Sequence, residues 1–533
     1  MPTLRTVSNE HESTRSLRSS AVSTSIVMGA TMVSRILGFV RQAVINAIFG
    51  ASGSADVLNA VFSIPNNLRK LLAEGALSSA FIPVLSQAIA DEDQSSRGVP
   101  RQVVRNLLAF QYVILVPLLI LSVIFAEPIT MFIRDFPEAS RQALAADLFQ
   151  WFIHYTLLIS VSAVIVGALN SSNRFTVPAF TPIIFSFSVI GSVLLFHRSL
   201  GLYSMAVGVL VGGIGQIAFQ TPQFLRSGFD LVPSFSFGNP EFRRILRQWL
   251  PVVASSSIFV VNQEVALYFA SGLEDGSSSA LVNAIVFWQL PLGIFGVSVM
   301  TVLFPRMSRE ARHHDSAALR ETLAFGLRAI AALLIPSSLL MGALSYEVIA
   351  VAFQRGAITQ VNTHMAAQVL IGYCGGMVGV GTFNFLQRSF YARGDYKTPT
   401  LTALGVLVVD VLLSIWLKET RLRVTGLAVA NSVAFSSGAA VLLAASHRAL
   451  GGVHFLRIAG TVGKSVLAVL PAAAGLVVFR AYWGTWWVSG STAANLGRLA
   501  AVGSGALALV ALLYIVLRIE VVTIIIKRRG KQS

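Results

Sequence analysis

The chain has 533 residues, of which 54% are hydrophobic and only 12% charged, with a mean hydropathy of +0.71. A soluble globular domain carries about twice that charged fraction, so a water-soluble fold is excluded and a polytopic membrane protein is expected. The formal net charge of +16 does not point to nucleic acid, because membrane proteins collect Lys and Arg in their cytoplasmic joints for reasons of topology alone.

In chain order, residues 1–21 are polar and rich in Ser and Arg and read as a disordered tail. The next apolar stretch is too long for a signal-peptide core and contains arginines, so it reads as a retained first span. Apolar segments of bilayer-spanning length fall at 22–50, 54–89, 105–133, 143–170, 178–197, 201–224, 244–272, 278–304, 321–343, 363–391, 399–417, 424–446, 456–480 and 495–517. The expected fold class is therefore all-α, with about fourteen membrane helices. Residues 518–533 form a basic tail ending "KRRGKQS". The single cysteine, Cys374, sits in a Gly-rich apolar segment and supports neither a disulfide nor a cysteine metal cluster.

Lys and Arg in the joints set the orientation. With the N-terminus in the cytoplasm, Arg97, Arg101, Arg243, Arg244, Arg306, Arg309, Arg312, Arg393 and Lys397 all fall inside, as does the C-terminal tail. The joint with Lys418, Arg421 and Arg423 is the clear exception. Both termini are expected in the cytoplasm, which agrees with an even number of spans.

The chain repeats itself. "LNAVFSIP" at Asn59 is echoed by "VNAIVFWQLP" at Asn283, and "FIPVLSQ" at Pro83 by "LFPRMSR" at Pro305. Pro117 is echoed by Pro336, Glu127 by Glu347, and Pro178 by Pro399, all at offsets of 219 to 224 residues. Six spans separate the members of each pair, so the halves share orientation about an axis along the membrane normal. The expectation is two six-helix lobes, 22–225 and 244–446, followed by a terminal pair of helices at 456–517. Paired lobes of this kind suggest a transporter.

The first two spans carry charge at bilayer depth, which costs ~2.5–3.5 kcal/mol per residue on insertion scales. In the second span Asp56, Asn59, Ser63, Asn67, Lys70 and Glu74 follow one another at steps of three or four, which is one helix face. Arg69 lies beside that stripe, and Pro65 within it predicts a kink. Such a stripe must face the protein interior or water. The first span adds Arg35 and Arg41, with Gly38 between them. Asp56 is expected to orient one of the arginines. Arginine forks grip phosphate bidentately and never deprotonate, so an interior with surplus arginine is expected to take a phosphate or diphosphate. A hydrophobic cation would instead require acids and aromatic rings.

The run "SRILGFVRQAVINAIFGASGSADVLNAVFSIPNNLRKLLAEGALSSAFIPVLSQ" resembles the opening of the MurJ (MviN) lipid II flippases of the multidrug/oligosaccharidyl-lipid/polysaccharide exporter superfamily. The likeness continues in "LNSSNRFTVPAFTP", "PLGIFGVSVMTVLFPRMS", "AFQRGAIT" and "FYARGDYKTP". It implies a fourteen-helix, two-lobed fold around a cationic cavity. It also implies transfer of an undecaprenyl-diphosphate-linked disaccharide-pentapeptide from the inner to the outer leaflet of the cytoplasmic membrane for cell-wall synthesis. The family's functional arginines and acids match Arg35, Arg41, Asp56, Arg69 and Glu74, and its last two helices are associated with a groove for the prenyl tail. Two positions depart from many relatives: Val286 and Gln289 stand where an arginine and an acid are usual in the eighth helix, and Gln42 where an acid follows the second arginine. Arg306 and Arg388 are the basic residues available to compensate.

Together these readings give Arg35, Arg41, Arg69, Lys70, Asp56, Glu74 and Asn59 as the expected substrate-binding set. Alternating access is the expected mechanism. No "GxxxxGK[ST]" phosphate loop occurs in the sequence, so neither an ATPase nor any other enzyme is expected, and no metal or other cofactor is called for. The expected drive is the membrane potential or a coupling monovalent cation, for which Asp410, Ser414 and Asn431 are the candidate ligands. A structural pairing of Asp410 with a neighbouring polar group is the other reading of those three. His154 reads as a packed helix residue and His313–His314 as a loop pair. Expected partners are the lipid-linked diphosphate, membrane lipids and cell-wall synthesis proteins, with no nucleic acid. A flippase for another lipid-linked oligosaccharide, a drug exporter of the same fold and a non-transporting membrane scaffold remain the alternatives.

Overall fold

The computed structural model describes residues 27–519 apart from 28, 52, 70–75, 93–97 and 484–490. All regular structure among the described residues is helical. The chain divides into two compact units, Met1–Phe49 with Val57–Val260, and Gly50–Asp56 with Val261–Ser533.

The first unit contains α1 (Gly29–Phe49), α2 (Ser54–Arg69) from Val57 onward, α3 (Ala76–Glu92), α4 (Val99–Ile124) and the short α5 (Ala126–Ile133). It continues with α6 (Ala139–Ser171), α7 (Thr176–Leu200) and α8 (Tyr203–Arg226). The chain passes into the second unit within α9 (Pro240–Ser271). There follow α10 (Ser277–Pro291), α11 (Val297–Arg312), α12 (Ser316–Ala343), the short α13 (Ser345–Phe353), α14 (Gln360–Ala392), α15 (Lys397–Lys418) and α16 (Arg423–Ala449). The terminal pair is α17 (Phe455–Trp483) and α18 (Thr492–Val516).

Twelve of the described helical runs are long and apolar enough to cross a membrane, with α10 and α11 counted as one run. Two of the fourteen expected spans are not among them. One is 54–89, which the structure describes as α2 and α3 on either side of residues 70–75. The other is 244–272, which falls in α9, whose first turns "PEFRRILRQ" are charged. The fold is all-helical, as expected, with about twelve membrane helices by that criterion among the described residues.

The sequence echoes coincide with repeated elements. Asn59 and Asn283 are both buried, one in α2 and the other in α10. Pro117 and Pro336 lie inside α4 and α12, while Glu127 and Glu347 occupy the first turns of the short helices α5 and α13. Pro178 and Pro399 stand in the first turns of α7 and α15, where a missing N–H leaves no helix bond unmade. α6 and α14 are both 33 residues long. Pro291, the counterpart of Pro65, is followed by a single π turn, Leu292–Gly296.

Bilayer-embedded helices gain little from hydrophobic burial against one another, because lipid tails are equally apolar, so close approach of small residues carries the packing. In the second unit Gly372, Gly376 and Gly379 of α14 face Ala428, Ser432 and Ser436 of α16. A Cβ at Gly372 would lie 2.9 Å from the Ala428 Cβ, and one at Gly376 would collide with the Ser432 backbone. In the first unit Gly208 and Gly212 of α8 make the same approach to Val189 and Phe185 of α7.

The 227–239 joint is tied to the start of α4. Asp230 receives Arg105 at 2.5 and 2.8 Å and also pairs with Arg101, while Gln102 donates to the Ser234 hydroxyl at 2.7 Å. The hydrogen bond from Arg105 is the main cause that holds the Asp230 carboxyl down to about 2.

The glycine seam makes a direct prediction. Gly376→Val forces α14 and α16 apart and lowers stability by about 1–3 kcal/mol or more, read as an earlier thermal midpoint of the detergent-solubilised protein. Gly375→Val, one residue earlier and facing open space, leaves the midpoint near that of the unaltered chain.

Candidate anion-binding interior and buried polar clusters

The stripe on α2 is turned inward: Asp56, Asn59 and Asn67 are buried and Ser63 is half-buried. Lys70 and Glu74, the two remaining members, lie outside the described residues. Within the first unit Gln42 of α1 donates through Nε2 to Asn46 Oδ1 at 3.1 Å and to Asn59 Oδ1 at 3.3 Å. Gln42 thus serves as a neutral bridge between α1 and α2 at the position where many relatives carry an acid. Asn46, fully buried, is part of the site that the sequence reading missed. A step of four from Gln42 along α1 was the available signal.

Arg41 is half-buried on α1. Its guanidinium lies over the Phe185 ring of α7, 5.1 Å from the centroid, a placement that the ring quadrupole favours. Its Nε is buried and meets no hydrogen-bond partner among the described residues. Arg69 and Tyr155 are the groups that act on it electrostatically, and Arg69 also donates through Nε to Asn66 Oδ1 at 3.3 Å. Arg35, six residues earlier on α1, is exposed.

Asp56 has a partner other than the arginine expected for it. Its Oδ1 accepts the backbone N–H of Ser279 at 2.6 Å. Ser279 lies in the first turn of α10, whose N-cap Gly276 has no side-chain cap. A buried carboxylate at an uncapped helix start satisfies orphan N–H groups and the positive end of the helix dipole. Asp56 therefore anchors α10 in the second unit instead of steering a guanidinium.

Arg134 was not singled out in the sequence, yet its side chain is only 1% exposed. Just after α5, it donates to the Ala60 carbonyl from Nε at 3.1 Å and from Nη2 at 2.7 Å, and from Nη2 to Ser63 Oγ at 2.7 Å. Ser63 Oγ also donates to the Ala60 carbonyl, at 2.7 Å, so that carbonyl gathers side-chain donors one turn before Pro65. The planar five-donor fork of arginine suits that role.

In the second unit Asp410 and Ser414 of α15 and Asn431 of α16 come together as the sequence suggested, joined by Asn262 of α9. Asn262 Nδ2 donates to Asp410 Oδ2 at 2.5 Å, and Asn431 Nδ2 donates to Asn262 Oδ1 at 2.9 Å and to Asp410 Oδ2 at 3.3 Å. Ser414 Oγ reaches Asp410 Oδ1 at 3.4 Å. All four residues are buried, and Asn431 Oδ1 has no partner. A lone Asn in a charged helix carries no periodic signal, so Asn262 could be found only by folding.

Of the two arginines expected to compensate, one is ion-paired and the other rests on an aromatic ring. Arg306 is paired with Glu310 at 2.7 Å, and the Arg388 guanidinium lies over Phe304, 5.7 Å from its centroid. His154 is exposed on α6 rather than packed. His313 and His314 form the turn before α12, as read.

A profile described as "Lipid II flippase MurJ" matches residues 45–497. The chain belongs to the MurJ lipid II flippase family. It is 32% identical over 499 residues to "Probable lipid II flippase MurJ" of Borreliella burgdorferi, covering 94% of this chain and 97% of that one. To "Lipid II flippase MurJ" of Burkholderia cenocepacia it is 29% identical over 396 residues, 72% of this chain and 76% of the relative. The solved structure "Lipid II flippase MurJ, inward closed conformation" matches with a TM-score of 0.74 at 25% identity, covering 92% of this chain and 99% of that one. An inward-facing multidrug resistance MATE transporter of the MOP superfamily, with a TM-score of 0.66 and 13% identity over 80% of this chain and 98% of its own, shares the fold alone. MurJ membership makes the chain a multi-pass membrane transporter rather than an enzyme, in agreement with the resemblance read from Ser34–Gln87.

The Arg134 fork yields a test of how α2 is held. Arg134→Met keeps much of the volume but strips donors from the Ala60 carbonyl and the Ser63 hydroxyl. It lowers stability by about 1–3 kcal/mol, seen as reduced monodisperse yield and an earlier thermal midpoint. Arg134→Lys, a point charge without the fork, restores only part of the loss.

Proposed function

We propose that this chain moves lipid II from the inner to the outer leaflet of the bacterial cytoplasmic membrane by alternating access, with both termini in the cytoplasm. Arg35, Arg41 and Arg69 grip the diphosphate. Asn59, Lys70 and Glu74 are the further proposed substrate contacts, and Asp56 supports the start of α10. The observation that carries this reading is Arg41, a half-buried guanidinium seated on an aromatic ring with its buried Nε unmatched among the described residues, in a chain of the MurJ family. A permanent cation at bilayer depth is unfavourable, and an incoming phosphate oxygen supplies the missing acceptor. The prenyl tail stays in lipid along the apolar outer faces of α17 and α18, where Leu467, Val477, Leu507 and Leu512 are exposed. Cell-wall synthesis proteins that consume the product are the natural partners.

The buried Asp410 cluster supports a coupling monovalent cation. One carboxylate with a hydroxyl and two amide oxygens offers hard oxygen ligands and a single negative charge, and rotation of the Asn262 and Asn431 amides turns their oxygens inward. Binding there, together with the membrane potential at about 2.3 kcal/mol per charge per 100 mV, supplies the drive.

Two measurements check these roles. Arg35→Ala and Arg41→Ala each lose a charge-assisted contact of about 1.5–3 kcal/mol. Neither should support growth when the host's own flippase is depleted, although both variants reach the membrane in normal amounts. Full growth with both would remove the gripping role. For the cation, sodium or lithium chloride raises the thermal midpoint of the purified protein above its value in choline chloride at equal ionic strength, by linkage to the folded state. Asp410→Asn abolishes that difference, and an equal response in the variant would leave Asp410 a purely structural residue.

A further inference from the structure

A cavity of about 650 Å³ lies in the second unit where α13, α14 and α16 begin and α17 ends. On the orientation proposed above it is at the outer end of that unit, and the inference below rests on that orientation. Its charged wall comes from Arg421 and Arg423 of the α15–α16 joint and from Arg480 near the end of α17, faced by Glu347 and Glu274. Short outer joints normally shed Lys and Arg, and this joint is the one that breaks the pattern. Lys418 is accounted for, since it pairs with Glu419 at 3.4 Å and lies over Phe269. Arg421 and Arg423 are exposed and form no ion pair among the described residues.

Two further features favour an anion here. α13 and α16 both start without a side-chain cap, and residues of both first turns line the same space as the arginines, where the positive end of a helix dipole favours an anion. Glu347, only 2% exposed, reaches Arg480 Nε at 3.4 Å through Oε1. Arg480 also lies over the Tyr346 ring. With its Nε edge and one ring face engaged, Arg480 still presents its Nη donors. The second Glu347 oxygen, Oε2, is buried and has no partner among the described residues, and it requires a donor such as a hydroxyl. A ligand that satisfies both halves of the cavity carries an oxyanion and hydroxyl groups together.

We propose that this cavity is a second anion site, which takes a phosphate ester flanked by hydroxyls, with Arg421, Arg423 and Arg480 on the phosphate and Glu347 on a hydroxyl. That chemistry belongs both to a phosphoglycerol lipid headgroup of the outer leaflet and to the sugar-phosphate end of a transported headgroup. The backbone provides a clean variant. Arg423 sits at φ 47°, a left-handed conformation that strains a side-chain-bearing residue and that glycine adopts freely. Arg423→Gly thus removes the guanidinium while easing the turn.

The test uses full-length protein carrying Arg41→Ala, so that the first-unit arginine does not dominate the signal. It is titrated calorimetrically with N-acetylglucosamine 1-phosphate, with dihexanoylphosphatidylglycerol, and with dihexanoylphosphatidylcholine as a zwitterionic control. Saturable binding of one or both anionic probes is expected. Arg421→Ala and Arg423→Gly should each weaken it about tenfold, and Arg423→Gly should do so with an undiminished thermal midpoint. Binding of the sugar phosphate alone assigns the site to transported headgroups, and binding of phosphatidylglycerol alone assigns it to the bilayer. No saturable binding of either anionic probe, equal binding of the zwitterionic control, or binding indifferent to both substitutions overturns the proposal. Failure of the Arg41 reading would change only the growth assay above.

Discussion

Hydrocarbon offers no hydrogen bonds, so every polar group that this chain carries to bilayer depth must find its partner inside the protein. Much of the architecture follows from that constraint. One turn before Pro65 of α2, Arg134 supplies donors to the carbonyl of Ala60. The start of α10 lacks a side-chain cap of its own, and Asp56 supplies an acceptor from α2. Gln42, Asn46 and Asn59 satisfy one another between α1 and α2, as Asn262, Asp410 and Asn431 do among α9, α15 and α16. Among the described residues a number of buried polar atoms escape this pairing, and two of them belong to charged groups at the proposed sites. Arg41 Nε and Glu347 Oε2 are buried without partners, and each lies where a phosphate-bearing ligand would complete it.

The same constraint separates structural charge from functional charge. Arg134 is more deeply buried than Arg41, yet it is spent on backbone carbonyls and has no reach left for a substrate. Arg41 rests on a ring face, which stabilises the cation without consuming its in-plane donors. Two arginines of one unit thus take opposite roles because Arg134 is offered acceptors and the Arg41 Nε is not. Asp410 is ambiguous on this criterion, because the amides that satisfy it can turn and present oxygen instead.

Duplication supplies the frame on which these differences are set. The short helices α5 and α13 both carry an acid in the first turn, but Glu127 is exposed whereas Glu347 is buried against Arg480. Divergence of that kind turns one surface helix start into the wall of a cavity. Pro65 and Pro291 recur at matching places, and in the second unit the break is taken up by a π turn, a feature frequent at functional sites.

Composition and periodicity alone determined that the chain is an all-helical membrane protein with duplicated halves, because bilayer-spanning length, apolar runs and spaced prolines are properties of the linear chain. They also determined that the α2 stripe faces inward, since three- and four-residue steps define a helix face wherever the helix is placed. The count of spans was less legible, because α9 begins with charges that blur its apolar run. Only the tertiary structure decided what each polar group meets. Asp56 meets a helix start and not an arginine, Arg134 turns out to be buried, Asn262 joins Asp410 across 148 residues of chain, and the basic α15–α16 joint closes a cavity with Arg480. Hydrogen bonds and ion pairs act over about 3 Å, and the partners that come within that distance are brought there by helix packing, which no local pattern records.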